Sequence, residues 1–415
     1  MASESSSITA DDAVKTTATD QARERTGGRE QALDALRGLA ILGGLTVNVR
    51  AYAAIDAART NPMAWGDLQG PNLWAWIATY VLADGKFVSM FALVFGAGIA
   101  ARTAAATTDA LAATHYRRMA ALALLGALHA YLAWWGDWLL ILSVVGAVVF
   151  HYHHASARQL VTAGLLVYAV YPLVSVSLTV ALPWSPPEAA EHLQATWSPS
   201  AAAIEAEIAA YRGGWLAQAQ YRVPRAFAYQ TSELALRFLW QVAGLMLLGM
   251  GLYRLGLLRV DRPARHYAWM AALGFGIGVP VSLYEIHRAF SHGWDLIDHR
   301  LVVTPLAYWS SLAITLGWAG LILLACRRGR RLPSLAAVGR LALSNYLLQT
   351  AVFTTVFYGH GLGLFARVDR IHQLALVVAL CVVQVAASRL WLRWFAMGPV
   401  EWAWRASARA LPGRT

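Results

Sequence analysis

His129 and Asp137 are the residues of this chain best suited to handling a proton. Imidazole is the side chain that titrates near neutral pH. His129 is the one histidine placed well inside an apolar run, Leu125-Gly126-Ala127-Leu128-His129-Ala130-Tyr131-Leu132-Ala133-Trp134-Trp135-Gly136-Asp137. Read along a continuous helix axis, a spacing of eight puts His129 and Asp137 near one face but about 12 Å apart. The pair is therefore expected to share a cavity without touching. Trp134-Trp135-Gly136-Asp137 reads as a tight turn, with Trp134 and Trp135 counted among the candidate binding residues.

Other polar groups interrupt other apolar runs. Ionised side chains at the centre of a bilayer cost roughly 2.5–3.5 kcal/mol each on insertion scales, so each needs a partner, a water-filled cavity or the interface. Asp84-Gly85-Lys86 breaks the second run. Residues two apart do not face each other on a regular helix, but a break at Gly85 lets Asp84 and Lys86 meet. Asn48 lies at one end of the first run, and Asp34 and Arg37, three apart and able to pair, lie at the other. Glu285 and His287 close the seventh run, and Asn345 and Gln349 share a face of the ninth. Contact with water at the membrane surface for the former pair, and helix–helix hydrogen bonding for the latter, are the plain readings. Binding a substrate is the sharper one. His151, His153 and His154 lack the spacing of a metal site, and no metal is expected.

The elements that must position these groups are transmembrane helices. The chain has 415 residues, of which 58% are hydrophobic and 14% charged, well below the roughly 25% charge of soluble domains. A bilayer core needs about twenty apolar residues per helix. Ten runs qualify, near 36–55, 74–101, 119–135, 138–152, 160–182, 234–255, 266–285, 301–326, 341–358 and 374–395. This predicts an all-α, polytopic bundle of about ten helices spanning residues 31–405, with tails at 1–30 and 406–415. Residues 183–232 form a long outer loop, opened by Pro183, Pro186 and Pro187 and containing a short helix over 204–211. It is either a connector anchored by aromatics or a lid. The tail at 1–30 is rich in Ser, Thr and Asp, lacks the apolar stretch of a signal peptide, and reads as disordered.

The net charge of +11 is explained by arginines in the short connectors, which alternate from rich to poor along the chain. The positive-inside rule then places both termini in the cytoplasm. No separate basic domain is left to grip nucleic acid. Cys326 and Cys381 stand alone in apolar runs, which excludes a disulfide framework and a zinc site. Lys15 and Lys86 are the only lysines, the composition of a GC-rich bacterial gene. The expected home is the bacterial inner membrane. Under this topology Asn48, Asp84, Lys86, His129, Asp137, Glu285 and His287 all fall in the outer half of the bilayer, which predicts one outer-facing polar cavity.

Several stretches, taken in order, resemble the YeiB-like family of bacterial membrane proteins, a domain-of-unknown-function family. They are Leu33-Asp34-Ala35-Leu36-Arg37-Gly38 leading to Val47-Asn48; Gly85-Lys86-Phe87 with Leu93-Val94-Phe95-Gly96; Leu128-His129 with Trp135-Gly136-Asp137; Ser344-Asn345-Tyr346; and Gly398-Pro399-Val400-Glu401-Trp402. That family in turn resembles transmembrane acyltransferases of the acyl-transferase-three and heparan-glucosaminide acetyltransferase type, which carry acyl groups from cytoplasmic acyl-CoA to acceptors on the far side. Those branches place a histidine where this chain has Asn48 or Arg59.

The resemblance implies acyl transfer. His129 would then be the base that acyl transfer to a hydroxyl or amine requires, oriented through intervening groups by Asp137 or Asp84. Asn48 or Lys86 would stabilise an oxyanion, and Arg37 and Arg405 would hold the phosphates of acyl-CoA. Acyl-CoA enters as a donor substrate, with no tightly bound cofactor, and the acceptor is a small molecule, lipid or glycan. The alternative is a small-molecule transporter or ligand-binding membrane protein using the same cavity, with the Gly-interrupted second run as a broken helix at its site.

Overall fold

A computed structural model describes residues 10–105 and 109–410, with side chains over 31–104 and 110–407. The chain is all-α, and the described residues contain no strand. In order, the helices are α1 (Ala10–Ala53), α2 (Gly70–Leu82), α3 (Lys86–Ala105), α4 (Asp109–Leu132), α5 (Leu139–Val149) and α6 (Ala157–Val180). Three short helices come next, α7 (Pro187–Trp197), α8 (Ala201–Arg212) and α9 (Trp215–Gln230). Then come α10 (Leu239–Arg254), α11 (Ala264–Ser291), a single turn α12 (Leu296–Asp298), α13 (Thr304–Arg327), α14 (Pro333–Arg340), α15 (Ala342–Phe357), α16 (Arg370–Trp391) and α17 (Pro399–Ala410). Helix α1 starts well inside the segment expected to be a tail. Residues 1–9 and 411–415 lie outside the described residues.

Among the described residues, seven segments are long and apolar enough to cross a membrane: 31–53, 70–104, 157–180, 215–254, 264–291, 296–327 and 370–391. The three other expected runs fall on α4, α5 and α15, which are shorter or more polar. The bundle is dressed for lipid. Leu166 and Leu173 on α6, Leu273 and Ile277 on α11, and Val378 and Val382 on α16 all face outward and exposed, while Lys86, His129, Asp137, Glu285 and Gln384 are buried. This polarity is the reverse of what water would select.

Helix α1 lies at the centre, in contact with α3, α13, α14, α15 and α16, while α10 packs between α3 and α6, and α11 runs along α13. Two local breaks in the helices position the buried polar groups. The second run is not one helix. It stops at Leu82 and restarts at Lys86, around Gly85 at φ +74°, a left-handed conformation that glycine adopts without steric cost. The fourth helix ends at Leu132, so Trp134-Trp135-Gly136-Asp137 turns the chain back on itself. The long connector is likewise built, as α7, α8 and α9, with α8 covering the short helix expected over 204–211.

Candidate functional site

The turn after α4 overturns the expected separation of His129 from Asp137. Their side chains touch: Asp137 Oδ2 lies 2.7 Å from His129 Nδ1. A separation of about 12 Å would require a helix running through residue 137. Because the helix stops five residues earlier, the chain doubles back and lays Asp137 against the turn it has just left. Gly126 makes room. A Cβ there would stand 2.4 Å from the Leu140 nitrogen and 2.6 Å from Asp137 Oδ1, closer than atoms tolerate. Asp137 Oδ1 in turn accepts the Leu140 N–H at 2.9 Å, tying the carboxylate to the first turn of α5, where the helix dipole favours negative charge. Asp137 is fully buried.

The other imidazole nitrogen is also engaged. His129 Nε2 lies 2.9 Å from the Thr350 hydroxyl of α15, which lies 2.7 Å from the Tyr52 hydroxyl of α1. A carboxylate on Nδ1 fixes the proton there and leaves the lone pair on Nε2. The row then runs consistently, with Tyr52 O–H donating to Thr350, Thr350 O–H donating to Nε2, and Nδ1–H donating to Asp137. Neither Thr350 nor Tyr52 stands out in the sequence. Each is one helical turn from a residue on the family-like stretches, Tyr52 from Asn48 and Thr350 from Tyr346. Tyr346 closes the site, 5.3 Å from the imidazole between ring centroids, and its hydroxyl accepts the Trp138 N–H at 3.2 Å.

Two donors beside this row have no acceptor among the described residues. Trp134 stacks on Tyr52 at 4.2 Å, with its indole N–H buried and unpartnered. An unsatisfied buried donor costs about 1–3 kcal/mol. Asn48, one turn of α1 from Tyr52, is half-buried with its amide free of any hydrogen bond within the described chain.

Helices α8 and α9 form a cap over this end of α4. The last carbonyls of a helix have no partner within it. Here Arg222 donates from Nε to the Tyr131 carbonyl at 2.9 Å, and Trp215 donates from its indole to the Leu132 carbonyl at 2.9 Å. Two guanidiniums lie over the Trp135 ring, Arg225 at 4.9 Å and Arg59 at 5.6 Å from its centre. Arg225 also bridges Asp56 at 3.0 Å and Glu233 at 2.8 Å. Glu207 of α8 accepts the Asp56 N–H at 3.0 Å. Burial pushes the Glu207 carboxyl up to about 7, against the pull of that N–H.

The remaining expected site residues divide into separate places. The predicted break at Gly85 is present, but Asp84 meets Arg50 rather than Lys86, with Arg50 donating to Asp84 Oδ2 at 2.7 Å. Lys86 turns the other way and donates to the Tyr80 carbonyl at 2.8 Å. Glu285 is fully buried, accepting the Tyr80 hydroxyl at 3.0 Å and the Ser310 hydroxyl at 2.7 Å. Arg50 and Tyr52 stand two apart on α1 and so face opposite ways. The polar groups thus form two clusters flanking α1, not the single cavity expected. One is His129, Asp137, Thr350 and Tyr52; the other is Arg50, Asp84, Lys86, Tyr80 and Glu285. His287 is exposed on the outside of α11 and joins neither.

Asn345 and Gln349 belong to a helix–helix ladder. Asn345 donates to Ser388 at 3.0 Å, Gln349 donates to Gln384 at 3.0 Å, and Gln384 donates to the Asn345 carbonyl at 2.9 Å. At the far end of α1, Arg37 pairs with Asp34 at 2.6 Å. A Cβ on Gly98 would sit 3.4 Å from Arg37 and 3.7 Å from Arg102, and Arg102 lies within electrostatic reach of Arg37, Arg118 and Arg405. Arg37 and Arg405 are therefore gathered into one basic cluster, about 22 Å along α1 from Tyr52. Glu401 accepts the backbone N–H groups of Leu343 and Ser344 at 2.7 and 3.0 Å, which joins two of the family-like stretches. Among the described residues no three His, Cys, Asp or Glu side chains gather as a metal site.

Fold and site together define a polytopic α-helical membrane protein with a buried, hydrogen-bonded His–Asp couple under a helical cap. Residues 252–410 match the family described as "Protein of unknown function (DUF418)". The chain is 33% identical over 390 residues to "Uncharacterized protein YeiB" of Escherichia coli (strain K12), covering 91% of this chain and 95% of that one. It is 28% identical over 407 residues to "Uncharacterized protein YxaH" of Bacillus subtilis (strain 168), covering 92% and 94%. The chain belongs to the YeiB-like family. No solved structure matches it.

Proposed function

We propose that this protein is a membrane-embedded acyltransferase of the bacterial inner membrane, with both termini in the cytoplasm. It moves an acyl group from a cytoplasmic donor such as acyl-CoA to an acceptor hydroxyl or amine, on a small molecule, lipid or glycan, at the outer side. The observation that supports this reading is the buried row Asp137–His129–Thr350. A carboxylate fixes one imidazole nitrogen, and the other presents its lone pair to a hydroxyl, the arrangement a general base requires.

In the reaction the acceptor takes the position of the Thr350 hydroxyl at His129 Nε2. Its oxygen or nitrogen attacks the thioester carbonyl as Nε2 removes its proton. The carbon–sulfur bond then breaks, and the imidazolium returns that proton to the departing thiolate. Asp137 stabilises the imidazolium without taking its proton. The unpartnered Trp134 indole and the Asn48 amide are the donors for the oxyanion. Arg37, Arg102 and Arg405 would anchor donor phosphates at the opposite end. The test is acyl transfer by purified protein in proteoliposomes supplied with labelled acyl-CoA. Label reaching an outer acceptor with wild type and not with His129→Gln supports the reading, and undiminished transfer by that variant ends it.

A second reading, a transporter, is favoured by one observation, the helix broken at Asp84-Gly85-Lys86 beside buried Glu285. Vesicles that accumulate a substrate without any acyl donor, and lose this with Glu285→Gln but not with His129→Gln, would select it.

A further inference from the structure

On the face of α1 turned away from His129 lies a cavity of about 350 Å³, walled by α1, the 65–67 turn and the start of α16. Arg50, Arg367 and Arg370 line it, together with Gln373, whose amide donates to the Val368 carbonyl at 2.8 Å. Arg50 is 7% exposed, and its Nε has no acceptor among the described residues. Its salt bridge to Asp84 uses a terminal nitrogen and leaves this donor idle. Arg370 donates to the carbonyls of Pro62 and Trp65 at 2.8 Å and of Asp67 at 3.3 Å, with the Asp67 carboxylate within electrostatic reach. Arg367 is exposed, and its side chain has no partner among the described residues.

Two carboxylates border the cavity. Asp67 is committed elsewhere, accepting from the Gln69 N–H and the Asn72 amide, each at 3.0 Å. Asp369 is largely exposed, lies 3.9 Å from His372 Nδ1, and does not cap α16 with its side chain. The cavity therefore sets three guanidiniums against two border carboxylates, leaves the Arg367 side chain without a partner among the described residues, and lies beside the amino-terminal end of a 22-residue helix.

We propose that this cavity is a binding site for a phosphate-bearing ligand. Three guanidiniums suit a tetrahedral phosphate, which presents oxygens in several directions, better than a carboxylate, whose two oxygens lie in one plane. The volume accommodates a phosphate with a small polyol attached. The group belongs either to a soluble phosphate ester or to the headgroup of an anionic phospholipid. The site does not depend on the acyl-transfer reading, because it shares no residue with the His129 row.

The full chain in nanodiscs tests it. Isothermal titration with sn-glycerol 3-phosphate in phosphatidylcholine discs detects a soluble ester, and native mass spectrometry after reconstitution with phosphatidylglycerol detects a retained headgroup. Saturable binding in the first arm, or retention in the second, supports the site and names its source. Arg367→Gln, whose side chain supports no other residue, weakens that binding about tenfold. Ala54→Leu, which fills the cavity, abolishes it. No binding in either arm, or binding that both substitutions leave unchanged, overturns the proposal.

Discussion

Asp137 reaches His129 from the chain that comes after it, 2.7 Å from Nδ1, by a reversal that the end of α4 makes possible. The couple is sealed from solvent, so each partner depends on the other. His129→Ala strands a fully buried carboxylate with the Leu140 N–H as its remaining hydrogen bond. Removing one member of a buried polar pair of this kind costs about 3–5 kcal/mol, read as a lower melting temperature in detergent. Asp137→Asn keeps the shape and allows the imidazole to take the other tautomer. It should melt close to wild type yet lose about 10²–10⁴-fold in transfer rate. Equal melting of all three proteins would mean that the pair contributes nothing to the fold.

Thr350 separates structure from chemistry at the same place. Thr350→Val preserves volume and removes the hydroxyl between Tyr52 and His129 Nε2. Leaving those two groups unpaired should cost about 1–3 kcal/mol. Thr350→Ser restores the hydroxyl and should recover most of the loss. A serine variant as unstable as the valine one would show that the methyl group, not the hydrogen bond, is what the site requires.

Gly126 is the third point of leverage. Gly126→Ala drives a methyl group into Asp137 and the start of α5, and overpacking of this kind costs about 1–3 kcal/mol. It should also detach Asp137 from His129, so transfer falls further than stability does. Gly44, where an added Cβ meets nothing within 4 Å, serves as the control helix glycine and should tolerate alanine.

The membrane bundle is legible in the sequence because lipid imposes a crude rule on composition, and every expected apolar run falls on a helix. The site is legible in part. His129 stands out because an imidazole in an apolar run is costly, and Gly85 because two charged residues, Asp84 and Lys86, flank it inside another such run. The contact to Asp137 is not legible, since it depends on α4 stopping at Leu132 rather than on spacing. On α15 the sequence points to the right helix and the wrong face. Asn345 and Gln349 are the more polar pair, but they turn toward α16, and the positions one residue later, Tyr346 and Thr350, face the histidine. A step of one residue rotates a side chain by about 100°, and polarity alone does not say which neighbour each face will meet. The connector over 183–232 is hidden for a related reason. What makes it a cap is that Arg222 and Trp215 seek the open carbonyls of α4, which no pattern within the connector itself reveals.

Glu401 should matter to α15 from fifty-eight residues away. It takes two amino-terminal N–H groups of that helix as well as the Ser344 hydroxyl, doing for α15 what a capping residue usually does locally. Glu401→Ala should cost about 1–3 kcal/mol and loosen amide exchange in the first turn of α15. Glu401→Gln keeps the acceptor oxygen and should lose less. Unaltered exchange over 342–346 in the alanine variant would remove Glu401 from any role in holding the start of α15.

The cap should respond to pH through Glu207, whose carboxyl rises to about 7 in the folded chain from an ordinary 4.5 because of its burial. Below pH 4.5 it is protonated whether the chain is folded or not, and it contributes no slope. Between 4.5 and 7 the unfolded chain releases this proton first, so stability declines as pH rises, and above 7 the full penalty is in place. Glu207→Gln is always neutral and keeps an acceptor for the Asp56 N–H. Its melting temperature relative to wild type should therefore climb from pH 5 to pH 8 and then level off. Trp135, which Arg59 and Arg225 contact through its ring, should become more accessible to a soluble quencher in wild type over the same interval, as the charged carboxylate draws water under α8. If wild type and Glu207→Gln melt in parallel throughout that range, Glu207 keeps its charge in the folded cap and the pH response must come from another group.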